Sequence, residues 1–533
     1  MSSNNLYRLT ESAAAEPLIN SWAVWSDLVS PSSYSLHLLN YQVKILSSYL
    51  ASPTAHAKAS KNPAFISGPF MNVPAERVKE VEGLLKLIEE TQSENIKFAR
   101  ALTDFSNFIN HEAQGQSLEP YYKKIPESLR GYVELVYDYN NHPIVRLMES
   151  LLYRSSYYRK NLQSLRIFQQ THDSCRPFFL NTPRLPAHDQ IDWARSFDDS
   201  QIDEFFRLES TFQPLGRIRE LLCLTDADDD RLLPLLTERP VEPTVNWRGP
   251  GGRIRYFGHA CVLVEWQGVS ILIDPWIGLL SQESEVKRLS YKDLPEKIDY
   301  VLITHGHHDH FVIESLLRLR HRIECLIVPR TSGLFYADAS LKLLAQNIGF
   351  KQVVEMEPLD SIKLSDGEIV AVPFFGEHAD LPHGKVGYLI RAGKEQVLFA
   401  ADSNCLDKCL YKHLRRILGP IQTVFLGMEC VGAPLSWLYG ALLPTKPQHG
   451  HDQSRRTKGC DAQAAFNLLE AVGSNRVYIY ALGMEPWLRY GMGLGLSEDS
   501  VQLQEAKKVI SGAAGRNFVD ARRLYGMHEI RLG

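Results

Sequence analysis

No apolar run in this 533-residue chain approaches the length needed to cross a bilayer. That excludes a helical integral membrane protein. The stretch Met1 to Thr10 is polar and lacks the basic-then-apolar order of a secretory leader, so a cytoplasmic protein is expected. Excess positive charge is also missing. Against 58 Lys and Arg stand 62 Asp and Glu, a formal net charge of −4, which removes the electrostatic footprint of a nucleic-acid binder. Cysteine is sparse and unpatterned: eight residues and no CxxC pair. Cys405 and Cys409 could sit one helical turn apart, but no second pair accompanies them. Reduced thiols, rather than a disulfide framework or a structural zinc site, are the expectation. There is no internal repeat and no low-complexity tract.

The chain is too long for one ordinary core, so two domains are expected. The first ~240 residues read as mainly helical with some strand, an α+β domain. Val78, Val81, Leu84, Leu85 and Ile88 recur at helical spacing, and Pro74 suits a first turn. The aromatic and apolar stretch from Tyr132 to Leu152 carries no catalytic motif and reads as core or a subunit interface. A Pro/Gly-rich joint follows, through Pro240, Pro243, Gly249, Pro250, Gly251 and Gly252. It divides the chain into domains 1–245 and 246–533. The second domain alternates β-branched runs with helical stretches, the pattern of a layered α/β domain. Cys261–Trp266 and Ser270–Ile273 flank Gln267-Gly268, which predicts a tight hairpin. Further strands are expected at Cys325–Val328, Glu368–Phe374, Val386–Arg391, Gln396–Ala400, Thr423–Leu426 and Arg476–Tyr480.

The most informative stretch is His305-Gly306-His307-His308-Asp309-His310, directly after the apolar run Tyr300 to Ile303. Imidazole and carboxylate together suit first-row metals. A strand that stops there can aim His305 and His307 at one ion and Asp309 and His310 at a second. Paired ions at that spacing do chemistry that one cannot. Gly258-His259-Ala260 and Ile273-Asp274-Pro275-Trp276 precede it in order. The three motifs together resemble the metallo-β-lactamase superfamily, from about Arg253 to the C-terminus. The resemblance implies an αββα sandwich with a dinuclear site at the strand ends. It also implies that Asp274 braces the ligand loop, that Asp402 of Ala400-Ala401-Asp402-Ser403 bridges the metals, and that His259 lies in a turn near the site without being a ligand.

Two positions depart from the hydrolases of that superfamily. Where they place a histidine after the strand ending Val372-Pro373-Phe374-Phe375, this chain has Gly376-Glu377-His378-Ala379-Asp380, and either Glu377 or His378 could reach a metal. No histidine follows Val477-Tyr478-Ile479-Tyr480-Ala481-Leu482; His449 or His451 could replace it, or the position stays open. These departures, the chain length and the large N-terminal domain resemble the diiron β-hydroxylases of nonribosomal peptide pathways. That family implies Glu377 as an iron ligand and catalytic carboxylate, with Asp402, and a metal set of His305, His307, Asp309, His310, Glu377 and Asp402. Three carboxylates favour the higher oxidation states of iron, whereas zinc has no redox chemistry.

By this resemblance the protein is expected to be a non-haem diiron monooxygenase. It would use O₂ and an external electron donor, a reductase or ferredoxin, to hydroxylate the β-carbon of an amino acid. The substrate would arrive as a thioester on the phosphopantetheine arm of a nonribosomal peptide synthetase carrier domain. The N-terminal domain would support homodimerisation and carrier docking. Two basic runs offer a surface for an acidic carrier: Arg154, Arg159, Lys160 and Arg166, and Arg455, Arg456 and Lys458. The rival expectation is a dinuclear zinc hydrolase acting on a thioester, phosphodiester or lactone. Phe374, Phe375, Trp437, Tyr439 and Trp487 are the candidate pocket aromatics.

Overall fold

The β-branched runs of the second half pair into two sheets. The computed structural model describes residues 5–241, 244, 247–281, 283–284, 286–333, 338–378, 384–493, 495–516 and 518–532. Among these, one seven-stranded sheet runs in the order Val353–Met356, Ile323–Pro329, Ile298–Leu302, Val269–Ile273, Cys261–Trp266, Gly252–Gly258 and His528–Leu532. The other runs Ser361–Leu364, Gly367–Pro373, Val386–Ala392, Glu395–Phe399, Thr423–Gly427, Arg476–Tyr480 and Asp520–Arg523. Each combines an antiparallel meander with parallel strands. The expected hairpin forms, with Trp266 opposite Val269 and left-handed φ at Gln267 (48°) and Gly268 (80°), the values a two-residue turn of this hand needs.

Side chains from facing strands fill the space between the sheets: Ile254, Val262, Val264 and Ile271 against Ile369, Tyr388, Ile390 and Phe399. Helices Lys408–Leu418, Ala462–Val472 and Val501–Ala514 cover the outside of the second sheet. The outside of the first is covered by helix Ile313–Leu319 together with the N-terminal half. This is the αββα sandwich, with a whole additional domain built into one helical layer.

The N-terminal half carries more strand than its helical periodicity suggests. Helices Val78–Thr91 and Ser93–Glu112 are present. The stretch grouped with the helices at Tyr132 to Met148, however, is an antiparallel hairpin of Val133–Tyr137 and Pro143–Leu147. Val133, Leu135 and Val145 are buried at every second position, the period of a strand. Ala13–Ile19 forms a wholly buried strand between Trp22–Ala23 and Gln163–Gln169. The Pro/Gly-rich joint lies between strands Leu236–Thr237 and Gly252–Gly258; Pro243 lies outside the described residues.

The two halves share one apolar core that extends from Leu9 to Leu442. Ion pairs reinforce it. Arg288 binds Asp173 through two bonds of 2.6 and 2.5 Å, with neither side chain exposed. Arg176 binds Glu314 through two more of 2.7 and 3.0 Å. Arg320 meets Asp203, and Arg318 and Arg322 share Glu209. Bidentate guanidinium–carboxylate contacts fix orientation as well as proximity. The N-terminal half is thus held in one pose on the sandwich.

Candidate metal centre

Every expected site motif lies just past the end of a sandwich strand. His259 follows Gly252–Gly258, Asp274 follows Val269–Ile273, the His305–His310 loop follows Ile298–Leu302, and Asp402 follows Glu395–Phe399. The chain must turn sharply at each of these ends. His259 (φ 49°), Asp274 (41°), Ala401 (47°) and Ala481 (53°) all adopt left-handed backbone there. For the two alanines, which have no polar side chain to compensate, that conformation costs about 1 kcal/mol or more each. Such strain collects at functional sites held by the surrounding fold.

Three groups of ligand atoms converge: His305, His307 and His378; His259, Asp309 and His310; and His305, His310 and Asp402, each group lying within 4.8 Å. Two residues are shared between groups, so the clusters adjoin. Asp402 Oδ2 sits centrally, 2.8 Å from His310 Nε2, 3.3 Å from His378 Nε2 and 3.9 Å from His305 Nε2. Asp309 Oδ2 lies 3.1 Å from His259 Nε2 and 3.8 Å from His310 Nε2. His305 Nε2 and His310 Nε2 are buried without a hydrogen-bond partner, despite the nearness of Asp402. Buried polar atoms are normally satisfied. Imidazole nitrogens and carboxylate oxygens packed this closely, with some nitrogens left unpaired, are what a metal-ligand set looks like. The residues fit a pair of first-row ions.

The supports are equally specific. Asp274, fully buried, accepts from Thr304 N at 2.8 Å and Thr304 Oγ1 at 2.7 Å, and its Oδ2 is 2.7 Å from His310 Nδ1. That bond puts the proton on Nδ1 and leaves Nε2 free to ligate. The electrostatics differ between the histidines. Burial drives His305 and His307 well below the ordinary imidazole range, helped by the neighbouring imidazoles, so both present neutral nitrogen. At His310 burial acts the same way, but Asp309, Asp274 and Asp402 outweigh it and hold the group well above its usual value. Burial would raise Asp402, yet His378 and His310 bring it down to about 2. Three carboxylates converging on one buried point favour a cation there.

Of the expected ligands, His305, His307, Asp309, His310 and Asp402 come together. Glu377 does not join them in this conformation: its side chain is exposed, and His378 is buried beside His307, with Nε2 3.2 Å from His307 Nδ1. The Thr457 carbonyl lies 3.1 Å from His378 Nδ1 and holds that ring in this position. Ala379 and Asp380 lie outside the described residues. His449 and His451 are exposed on helix His449–Ser454 and belong to none of the three groups. His259, read as a turn residue, reaches Asp309; its signal was the Gly258-His259 turn at a strand end. Tyr439, among the pocket aromatics, contacts His307 through its hydroxyl at 2.7 Å, and Phe374 packs edge-on against His305. Trp487 instead fills the core under Gly258 and Gly278.

The N-terminal half reaches this centre directly. Ser26 Oγ donates to the Gly306 carbonyl at 2.6 Å, between the two histidines of the loop. Trp25 and Phe179 pack around His308, whose ring points away from the clusters.

Comparison with known proteins accounts for both halves. Residues 8–240 match the profile described as the diiron non-heme β-hydroxylase N-terminal domain, and residues 270–478 match a β-lactamase superfamily domain. The 4-amino-L-phenylalanyl-(CmlP peptidyl-carrier-protein) 3-hydroxylase of Streptomyces venezuelae is 31% identical, over 99% of this chain and 100% of the relative. The chain belongs to the diiron non-heme β-hydroxylase family. The crystal structure of CmlA, a diiron β-hydroxylase from the same organism, superposes with a TM-score of 0.92 and 31% identity, over 99% of this chain and 100% of that one. A metal-dependent hydrolase of Caldivirga maquilingensis is 27% identical but covers only 28% of this chain and 60% of its own length. As a diiron β-hydroxylase the protein is an enzyme, a monooxygenase of metallo-β-lactamase fold, and the family implies two iron ions. The hydrolase reading is not favoured, since hydrolase likeness is confined to part of the sandwich. Among the described residues no helix is long and apolar enough to cross a membrane.

Proposed function

We propose that this enzyme hydroxylates the β-carbon of an amino acid held as a thioester on the phosphopantetheine arm of a peptide-synthetase carrier domain. The observation that carries the reading is full-length relatedness, N-terminal half included, to a hydroxylase whose named substrate is an aminoacyl carrier protein. His305, His307 and Glu377 would hold one iron and Asp309 and His310 the other, with Asp402 as a ligand available to both. The proximity of ligand atoms supports five of these. Glu377 is the sixth by family resemblance; it adjoins His378 on a turn that begins at Gly376 (φ 110°). With it the site has three carboxylates. When bound, the iron pair supplies O₂ reduction and C–H oxidation; one oxygen atom enters the product, the other leaves as water, and two electrons come from outside.

The chain's own residues prepare that chemistry. Asp274 and Thr304 fix the tautomer and aim of His310, and Tyr439 steadies His307. Trp25, Phe179 and Phe374 shield the site from bulk water, which strengthens every charge interaction within it. The carrier docks where the two halves meet. Of the two basic runs, the one at Arg154 to Arg166 has Arg166 buried against Asp192 and Lys160 paired with Asp198. In the run at Arg455, Arg456 and Lys458, Arg455 and Lys458 are exposed while Arg456 is bonded to the Val431 and Gly432 carbonyls. A reductase or ferredoxin supplies electrons, and the protein works as a cytoplasmic homodimer. The test is mass spectrometry of aminoacyl carrier domains after turnover with iron-loaded enzyme, O₂ and reductant. A gain of one oxygen on the aminoacyl group is expected. Release of free amino acid without oxygen insertion would show a thioesterase instead.

A further inference from the structure

A small pocket, open at its mouth, lies between the two halves beside the metal loop. Trp25, Ser26 and Asp27 of the N-terminal half form one wall, and Gly306, His307 and Tyr439 form the side toward the clusters. Leu341, Leu344 and Leu438 make much of the rest apolar. Among the described residues, two carboxylates, Asp27 and Asp338, line this space, and neither lysine nor arginine does.

Asp27 is the unusual one. Its side chain is 11% exposed, and its Oδ2 is buried with no hydrogen-bond partner. A carboxylate oxygen left unpaired in a buried site is costly, and such a group in a ligand cavity points to a cationic guest. His37 Nε2 is 3.9 Å away, too far for a hydrogen bond, and is itself unpaired. The position of Asp27 is not loose. The adjoining Ser26 is bonded to the Gly306 carbonyl at 2.6 Å, and the backbone carbonyl of Asp27 accepts from Ser33 Oγ at 2.7 Å. One short helix, Ser26–Val29, therefore ties an unpaired anion to the loop that carries the metal ligands.

We infer that Asp27 is the subsite for the α-ammonium group of the aminoacyl substrate, a role that rests on the aminoacyl reading given above. The ammonium nitrogen of an aminoacyl thioester is two bonds from the β-carbon, roughly 2.5 Å away at ordinary bond lengths. Holding that nitrogen against the wall beside His307 thus fixes the carbon to be oxidised more tightly than any contact to the side chain can. The apolar leucines receive the side chain, and the thioester faces the mouth. Asp27 acts as a binding and specificity residue; it takes no part in electron or oxygen transfer.

The test uses two stable mimics that differ only at this nitrogen: the L-phenylalanyl amide and the 3-phenylpropionyl amide of aminopantetheine. Calorimetry with the iron-loaded full chain at neutral pH is expected to show the amino compound binding about 10- to 100-fold tighter, the range of a charge-assisted hydrogen bond. Asp27→Asn should erase that gap while leaving the affinity of the des-amino compound, the iron content and the melting temperature unchanged. Asp27→Glu should restore part of it. His37→Gln should keep the gap. If wild type shows no preference, or if Asp27→Asn weakens both compounds equally, or if His37→Gln abolishes the gap, the ammonium subsite is wrong and Asp27 serves packing or its pair with His37. The hydroxylase reading fails separately. An Asp27-dependent preference for the amino compound without oxygen insertion into any carrier-bound amino acid would overturn the reaction and keep the subsite.

Discussion

Asp274 offers the sharpest perturbation of the metal centre, because one atom changes and the consequence can be followed bond by bond. Its carboxylate accepts from Thr304 N, from Thr304 Oγ1 and from His310 Nδ1. In Asp274→Asn, Oδ1 still accepts from the Thr304 amide. The new Nδ2, however, is a donor facing Thr304 Oγ1 and His310 Nδ1. The hydroxyl can rotate to accept. The imidazole can accept at Nδ1 only by moving its proton to Nε2, the nitrogen aimed at the metal pocket. The substitution therefore blocks His310 as a ligand through its tautomer, while leaving its position alone. The fold should tolerate it, since the left-handed backbone at this position (φ 41°) suits asparagine as well as aspartate. Loss of such a supporting carboxylate weakens metal binding about 10- to 100-fold. Iron titration against a competing chelator should show one of the two iron sites weakened by that factor, with the other close to wild type. Equal affinity for both irons in Asp274→Asn would refute the tautomer argument. Equal weakening of both would show that Asp274 braces the whole loop rather than one ring.

Other consequences are open to measurement. Glu377→His should lower hydroxylation more than about 10-fold by removing the third carboxylate, measured as single-turnover product; undiminished product would assign the ligand to His378. Glu149 accepts from Ser30 Oγ and Ser340 N in a desolvated pocket, and burial, aided by Asp338, pushes its carboxyl up to about 7 from an ordinary 4.5. The folded state then holds a proton that the unfolded state releases between those values. Stability should fall as pH rises through that window, by at most about 3 kcal/mol. Glu149→Gln should flatten this slope in urea unfolding and be the more stable form above pH 7; an unchanged slope would place the titrating group elsewhere. Arg288→Met removes the guanidinium that Asp173 binds through two bonds in a fully buried pair and should cost about 3–5 kcal/mol. Adding Asp173→Leu should recover much of that loss in the same denaturation assay, and no recovery would mean the cost came from lost packing of Arg288 on Trp487.

The sandwich was readable from sequence because its strands are β-branched runs bounded by turns, and all the expected second-half strands form within a residue or two of their limits. The cluster was readable because five of the candidate ligands, His305, His307, Asp309, His310 and Asp402, lie in motifs at strand ends. Other features depend on contacts that spacing does not encode. Ala13–Ile19 contains Glu16 and Pro17, poor strand formers, yet it is buried because Arg184 and Arg176 neutralise Glu16. Tertiary pairing overrides local propensity there. Glu377 and His378 are neighbours, so spacing cannot rank them; the Thr457 carbonyl, 79 residues away, holds the His378 ring in its position. Asp27 carried no signal at all, since a lone acidic residue in a short N-terminal helix becomes informative only once Gly306 and His307 are known to face it.

The arginine pairs between the halves bear on how such enzymes can be recombined. Asp173, Asp203 and Glu209 contribute from one side, Arg288, Arg318, Arg320 and Arg322 from the other, and Arg176 reaches back to Glu314. A chimera joining the front half of one relative to the sandwich of another inherits half of each pair. Wherever the parents differ at these positions, the hybrid buries an unmatched charge in the seam between the halves. Exchange of substrate preference between relatives by swapping halves therefore succeeds only when the seam is exchanged with them, residue for residue.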